Sequence, residues 1–336
     1  MGTVIYDPIL GSLRIKDAST GGGGGGSSPY KAGSVASSIT TCLGSNTASG
    51  VYSVVNGGCA NTASGACSTI GGGATNTISA GYGTITGGVN NIANGLAASV
   101  NGGFANIANG PTAPAIGGGG RNQACGTYST VGGGFCNLAT GGHAAILGGA
   151  LNTASANYSF IGGGGVNTIT SGGVCATIGG GNLNTVSAKY GTISGGYLNN
   201  TSGASSFIGS GKSNTISSAY SVIGGGFVNN IATSGTTVCQ SATISGGWAN
   251  LVSSAGCLSA IGGGKSNSAC ALYGFIGGGL TNVITHDYSS AFGCAVTSVL
   301  ACAAHVNRLV IQNVPTSSAG LPTGAVWSNL GILTIV

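Results

Sequence analysis

The sequence predicts an all-β protein: a β-solenoid of coils about 15 residues long, with a small β-cap at its C-terminal end. Three observations predict it. An aliphatic residue followed by glycine recurs at a near-constant interval. Gly and Asn stand at fixed distances behind it in every copy, and tightly constrained positions alternate with free ones.

The repeat is visible in YSTVGGGFCNLAT at 128–140, CATIGGGNLNTVS at 175–187 and YSVIGGGFVNNIA at 220–232. With the aliphatic residue before the glycines taken as the anchor, fifteen anchors run from Val55, Ile70 and Ile85 to Ile261 and Ile276. Most steps are 15 residues, and insertions of one, two, six and two residues end at Ile116, Ile178, Ile244 and Ile261. Three residues after the anchor every copy has Gly, among them Gly58, Gly73, Gly134, Gly164, Gly226 and Gly279. Six after it every copy has Asn, among them Asn61, Asn76, Asn91, Asn137, Asn167, Asn229 and Asn282. Gly also stands two after the anchor, failing once, at Ser210.

Side-chain direction follows from the remaining columns. Two before the anchor the residue is small (Ser53, Ser68, Gly83, Ala98), and eight after it is Ala or β-branched (Ala63, Ile78, Val186, Ile216, Ile284). The residue just before the anchor varies freely, as at Thr69, Phe160 and Ala260. Alternation of this kind marks strands, so two short strands per coil are expected, joined by a Gly-Gly turn that needs positive φ or has no room for a Cβ. Coils stacked about 4.8 Å apart bring the Asn column into a ladder of amides, and fourteen steps give a rod of roughly 67 Å.

The ends differ from the middle. Residues 1–20 hold four of the eleven charges and read as an attachment or strand segment, able to add a strand to a neighbouring subunit or to a virion or filament anchor. Residues 21–39 open with GGGGGGSSP, a flexible linker, and 40–295 form the repeat region. Register is expected to lapse after Asn282, around HDYSSAFGCAVTS. Residues 296–336, with HVNRLVIQNV, GAVWSN and GILTIV, read as the β-cap, and Trp327 as a core anchor within it.

Composition narrows the function. Seventy residues are Gly, 3% are charged and 42% are hydrophobic, a balance unlike disordered glycine-rich chains. The net charge of +5 is scattered: Arg121, Lys189, Lys212 and Lys265 lie far apart in the repeats, which argues against nucleic-acid binding. No stretch reaches 18 apolar residues, so no membrane span is expected, and the start lacks the pattern of a secretory signal. Eleven cysteines without a C-x-x-C pair read as small apolar fillers, with an occasional bridge between coils.

Catalytic chemistry is not expected, nor a cofactor or metal. GSGKSN at 209–214 and GGGKSN at 262–267 resemble the end of a phosphate-binding loop, but the required earlier Gly is Ser206 in one and Ser259 in the other. Up to Asn282 the repeats contain His143 and no carboxylate, His286 and Asp287 should point to opposite faces of a strand, and His305 stands alone.

A thin coil with Ala, Ser and Gly at inward positions has little apolar area to set against the entropy of ordering it, which points to self-association. The pattern S-x-I-G-G-G-x-x-N-x-[AI]-S resembles the head repeats of trimeric autotransporter adhesins and related repeats in phage and algal-virus fibre proteins, over about residues 40–295. The resemblance implies a left-handed β-roll, a homotrimer whose apolar faces meet on the threefold axis, and a structural fibre on a virion surface or outside a cell. AGLPTGAVWSNLGILTIV is similar to C-terminal segments of phage and viral structural proteins. A bacterial extracellular filament or adhesin subunit is the alternative.

Two binding readings accompany it. The outward column four after the anchor includes Tyr197, Phe227 and Trp248, candidate contacts for a host-surface glycan or protein, with the insertion ATSGTTVCQ at 232–240 nearby. Thr just before the anchor in six of fifteen copies suggests an ice-binding array, which Phe160, Phe207 and Phe275 interrupt; no activity is expected from it.

Overall fold

The computed structural model describes residues 3–7, 12–16, 30–32, 39–41, 45–232, 241–309, 314–323, 325–329 and 332–335. The chain winds as a parallel β-solenoid of about 17 turns, and no helix occurs among the described residues. At about 4.8 Å per coil the stack is roughly 80 Å long.

Each coil supplies two strands of two residues. In one coil they are Thr69–Ile70, which carries the anchor, and Thr77–Ile78. Ile70 pairs in parallel with Val55 on one side and Ile85 on the other, and Ile78 lies between Ala63 and Ala93. The second stack has 16 strands. A third row of parallel bridges, four residues after the anchor, runs from Cys59 and Ala74 to Leu280 and Cys294.

The corners are left-handed. Cys67, three before its anchor, and Thr75, five after it, both have φ of 54°. These corners turn the Cys67 and Thr75 N–H groups back onto the carbonyls of Val51 (2.8 Å) and Cys59 (2.9 Å) in the preceding coil. Thr69 and Ala74 donate forward, to Gly83 and Gly88, both at 3.0 Å. A left-handed L-residue costs roughly 1–2 kcal/mol, and hydrogen bonding in both directions along the axis offsets it.

Of the pair Gly133 and Gly134, only the second is compelled. Gly134 has φ of +90°, and a Cβ there would run into the carbonyl oxygen of Gly149 and lie 2.7 Å from Asn137 Nδ2. Its neighbour Gly133 has open space around a Cβ position. The expected Gly-Gly requirement falls on the second residue in every copy, and on the first as well where Gly102, Gly118, Gly163, Gly263 and Gly278 have φ of +138° to +157°; elsewhere the first place is open, as Ser210 shows.

The Asn column is buried and its amides are fully used. Asn137 Oδ1 accepts the backbone N–H of Asn152 at 3.0 Å, while Asn137 Nδ2 donates to the carbonyls of Gly133 and Gly149, both at 2.9 Å. The same arrangement recurs at Asn76, Asn167 and Asn229. Amide-to-amide bonds, such as Asn152 Nδ2 to Asn137 Oδ1 at 3.1 Å, join some neighbours and are secondary to the contacts with backbone. Beside this column Ser68 and Ser129 turn their hydroxyls onto the carbonyls of Gly65 (2.7 Å) and Gly126 (2.8 Å).

The Ile and Ala columns are covered within one chain. Ile70, Ile78, Ile85 and Ile193 are 0% exposed within one chain. Each anchor sits between equivalent anchors above and below, and the small column, the Asn column and the second strand close the remaining sides. The inward apolar area per coil is small, yet almost all of it leaves water without a second subunit.

The boundaries shift as well. Within the segment expected to be linker, Tyr30–Ala32 pairs antiparallel with Ile39–Thr41, which begins the anchor stack by pairing in parallel with Val54–Val55. After Asn282 the second stack ends, at Val283–Ile284, but the anchor stack continues: Ile276 pairs with Ala291, and Ser290–Phe292 pairs in parallel with Ala304–Val306. The solenoid thus extends into the stretch expected to be cap. The Asn column ends there, with Val296 N–H donating to Asn282 Oδ1 at 3.0 Å.

At the N-terminus Thr3–Asp7 and Ser12–Lys16 form an antiparallel pair with each other, and at the C-terminus Val326–Asn329 pairs with Ile332–Ile335. The glycine tether at 21–29, most of the insertion at 232–240 and the side chain of Trp327 lie outside the described residues. Among the described cysteines eight are free, and Cys257 is disulfide-bonded.

Candidate functional site: outward columns on the rod

Because the inward columns are occupied by structure, any recognition chemistry must lie on the outward ones. The column four after the anchor is one of them. Tyr197, Lys212, Phe227, Trp248 and Lys265 are successive members of its bridge row, one per coil. Parallel pairing in register places their side chains one above another, so residues far apart in sequence form a strip roughly 19 Å long.

The strip is aromatic and cationic. Tyr197 is 40% exposed, Phe227 38% and Trp248 50%. Lys212 Nζ stands 5.4 Å from the Tyr197 ring centroid and 5.6 Å from that of Phe227, and Lys265 Nζ is 4.1 Å above Trp248. The Phe227 and Trp248 rings are tilted, with centroids 5.9 Å apart. Cation–π contacts of this kind contribute about 0.5–1 kcal/mol at exposed sites, holding the lysines over the rings. The phosphate-loop reading gains nothing from this geometry, since both lysines lie across aromatic faces and no helix follows to supply a dipole.

The titratable residues are dispersed. Asp287 Oδ1 accepts the Leu272 N–H at 2.9 Å, tying one coil to the next. His286 Nδ1 lies 3.2 Å from Ser298 Oγ, and His305 Nε2 accepts the Val299 N–H at 3.1 Å. Burial raises the Cys125 thiol above its ordinary value, which lowers its thiolate character. Among the described residues no three His, Cys, Asp or Glu side chains are grouped so as to hold a metal ion. No helix among them is long and apolar enough to cross a membrane.

A second outward column escapes the sequence reading. Eight of the chain's eleven tyrosines share one offset: Tyr52, Tyr82, Tyr128, Tyr158, Tyr190, Tyr220 and Tyr273 stand three residues before an anchor, and Tyr288 three before Ala291, which pairs with the last anchor, Ile276. All eight occupy the left-handed corner, with φ between 54° and 61°. Counting residue types at that offset would have revealed them. Their shared backbone conformation has no sequence signature, because Cys, Ala, Ser and Leu occupy the same corner.

Fold and surface together define a repeat protein of the β-solenoid class, with a buried Asn–Gly spine and aromatic outward columns. No protein-family model matches the chain, and no curated protein matches it.

Proposed function

We propose that the chain is a non-enzymatic structural fibre protein, a rigid rod that holds a recognition strip away from its anchoring end, on a virion surface or outside a cell. The supporting observation is the uninterrupted parallel stack. Its coils are joined through backbone hydrogen bonds and the Asn column, so the length is additive and the stiffness shared. Residues 1–20 serve as the attachment segment. An assembly of three chains, implied by the resemblance, would have to use outward columns, because the core closes within one chain.

Length is the first test. Deleting residues 131–145 removes one repeat without a phase change, and the product is expected to fold and to be shorter by about 4.8 Å in small-angle scattering. A deletion variant that fails to fold, or that keeps its length, removes the additive rod. Immunogold labelling of purified particles tests the location, and label found on bacterial filaments instead would move the reading to the filament alternative.

Recognition is tested separately. Replacing Trp248 and Tyr197 with Ala alters exposed positions, so stability should move by only about 0.5 kcal/mol each. Binding to host cells or to a glycan array is expected to fall at least about tenfold, as base- and sugar-stacking rings carry much of the energy at such surfaces. Unchanged binding would take recognition off this strip.

A further inference from the structure

The tyrosine column contains ring-sized slots. Tyr128, His143 and Tyr158 stand at the same corner of three successive coils, and their rings stack with centroids 5.1 and 4.9 Å apart and interplanar angles of 22° and 6°. Tyr273 and Tyr288 stack likewise at 4.7 Å. Two tyrosines separated by one coil thus leave a gap that accepts one aromatic ring, and in this chain His143 demonstrates the fit.

Three such gaps are empty: one at Cys67, between Tyr52 and Tyr82, and two that are consecutive. Cys175 lies between Tyr158 and Tyr190, and Ser205 between Tyr190 and Tyr220, both small and exposed. The flanking rings have not collapsed over them: Tyr158 is 59% exposed, Tyr190 59% and Tyr220 56%. An isolated rod gains nothing from alternating a large ring with a small residue in a left-handed corner. A partner with the same alternation does.

We propose that this column is a homophilic interface, in which a second copy of the chain lies antiparallel and inserts its tyrosines into the slots. With the twofold axis between the coils of Tyr190 and Ser205, Tyr190 of each copy enters the Ser205 slot of the other. Tyr220 of each copy enters the other's Cys175 slot. The result is a ladder of six rings at the coil spacing: Tyr158, then Tyr220 of the second copy, Tyr190, Tyr190 of the second copy, Tyr220, and Tyr158 of the second copy. The same patch serves both partners, so the contact closes as a dimer and does not propagate.

The ring orientation selects this occupant. The observed stacks present ring edges outward and ring faces along the rod axis, which suits an inserted flat group and gives no open platform for a sugar laid across the surface. Six half-buried rings and their slot walls cover on the order of 1,000 Å², near the lower limit for a specific contact, so association in the micromolar range is expected. Lys189, exposed beside Tyr190, comes near its own twin at the axis, so salt should strengthen the pair. The interface does not depend on the fibre reading, because it is a property of the purified chain.

Sedimentation equilibrium of the full chain tests the proposal. At tens of micromolar the expected mass is twice 31.7 kDa, and Tyr190→Ser should weaken the dimer at least about tenfold. The discriminating variant fills the consecutive slots: Cys175→Tyr with Ser205→Tyr adds two rings that stack within the chain and leave no gap between Tyr158 and Tyr220. Interdigitation predicts a monomer for this variant, whereas nonspecific apolar sticking predicts tighter association. A wild-type monomer, a slot-filled chain that associates as well as wild type, or a trimer indifferent to both variants would each overturn it. Should the slot-filled chain fail to fold, an undiminished dimer in Tyr190→Ser overturns it alone.

Discussion

Gly134→Val is expected to unfold its coil and loosen both neighbours, at a cost of about 4 kcal/mol or more. Two effects add at that position. The φ of +90° lies where a β-branched residue is strongly disfavoured, and the new Cβ would overlap the Gly149 carbonyl oxygen of the next coil. Neither neighbour can give, since the Gly149 oxygen is held by the Phe135 N–H at 2.9 Å and by Asn137 Nδ2 at 2.9 Å. The measurement is hydrogen exchange, read for amides between residues 119 and 164 against distant coils. Gly133→Ala is the control: a Cβ there meets open space, and the thermal midpoint should hold or rise slightly. Equal damage from both substitutions would show that the close approach at Gly134 does not decide the matter.

Asn137→Ala should cost about 3 kcal/mol, more than its small loss of volume implies. Without the side chain the buried N–H of Asn152 loses its acceptor at 3.0 Å, and the carbonyls of Gly133 and Gly149 lose donors. Asn137→Asp sharpens the test. It keeps the acceptor for Asn152, loses both donated bonds when ionised, and places a charge where Asn137 is 0% exposed. Burial and facing carbonyls raise the carboxyl pKa in the folded state above the ordinary ~3.9. A raised folded pKa means the variant's stability is retained below about pH 4 and falls as pH rises through neutrality. Thermal melts between pH 3 and 8 check the sign. A variant most stable at neutral pH would mean that the amide donors do not matter.

Much of the fold is legible in the sequence because a repeat writes each geometric demand fifteen times. The anchor, Gly and Asn columns are residue-specific demands: a buried branched side chain, a backbone turn with no space for Cβ, and an amide that both donates and accepts. The alternation beside them tells which side chains point inward. The aromatic members of the strip are legible too, as individual residues, although their union with Lys212 and Lys265 into one surface requires the stacking register.

The tertiary structure decides what the corners do. Two left-handed residues per coil turn the chain back on itself, and most are Tyr, Cys, Ala, Ser, Thr, Leu or Val, types that announce no such conformation. Because the corners are silent in sequence, so is their consequence, a coil tight enough to seal its Ile column within one chain. The same silence hides the continuation past Asn282, where the Val296 N–H donates the last bond of the Asn column, and the tyrosine slots on the outer edge. Columns whose side chains face the core are constrained by packing and appear as patterns. The path of the backbone between them is set by hydrogen bonds to the next coil, which any residue can make, and only the folded chain displays it.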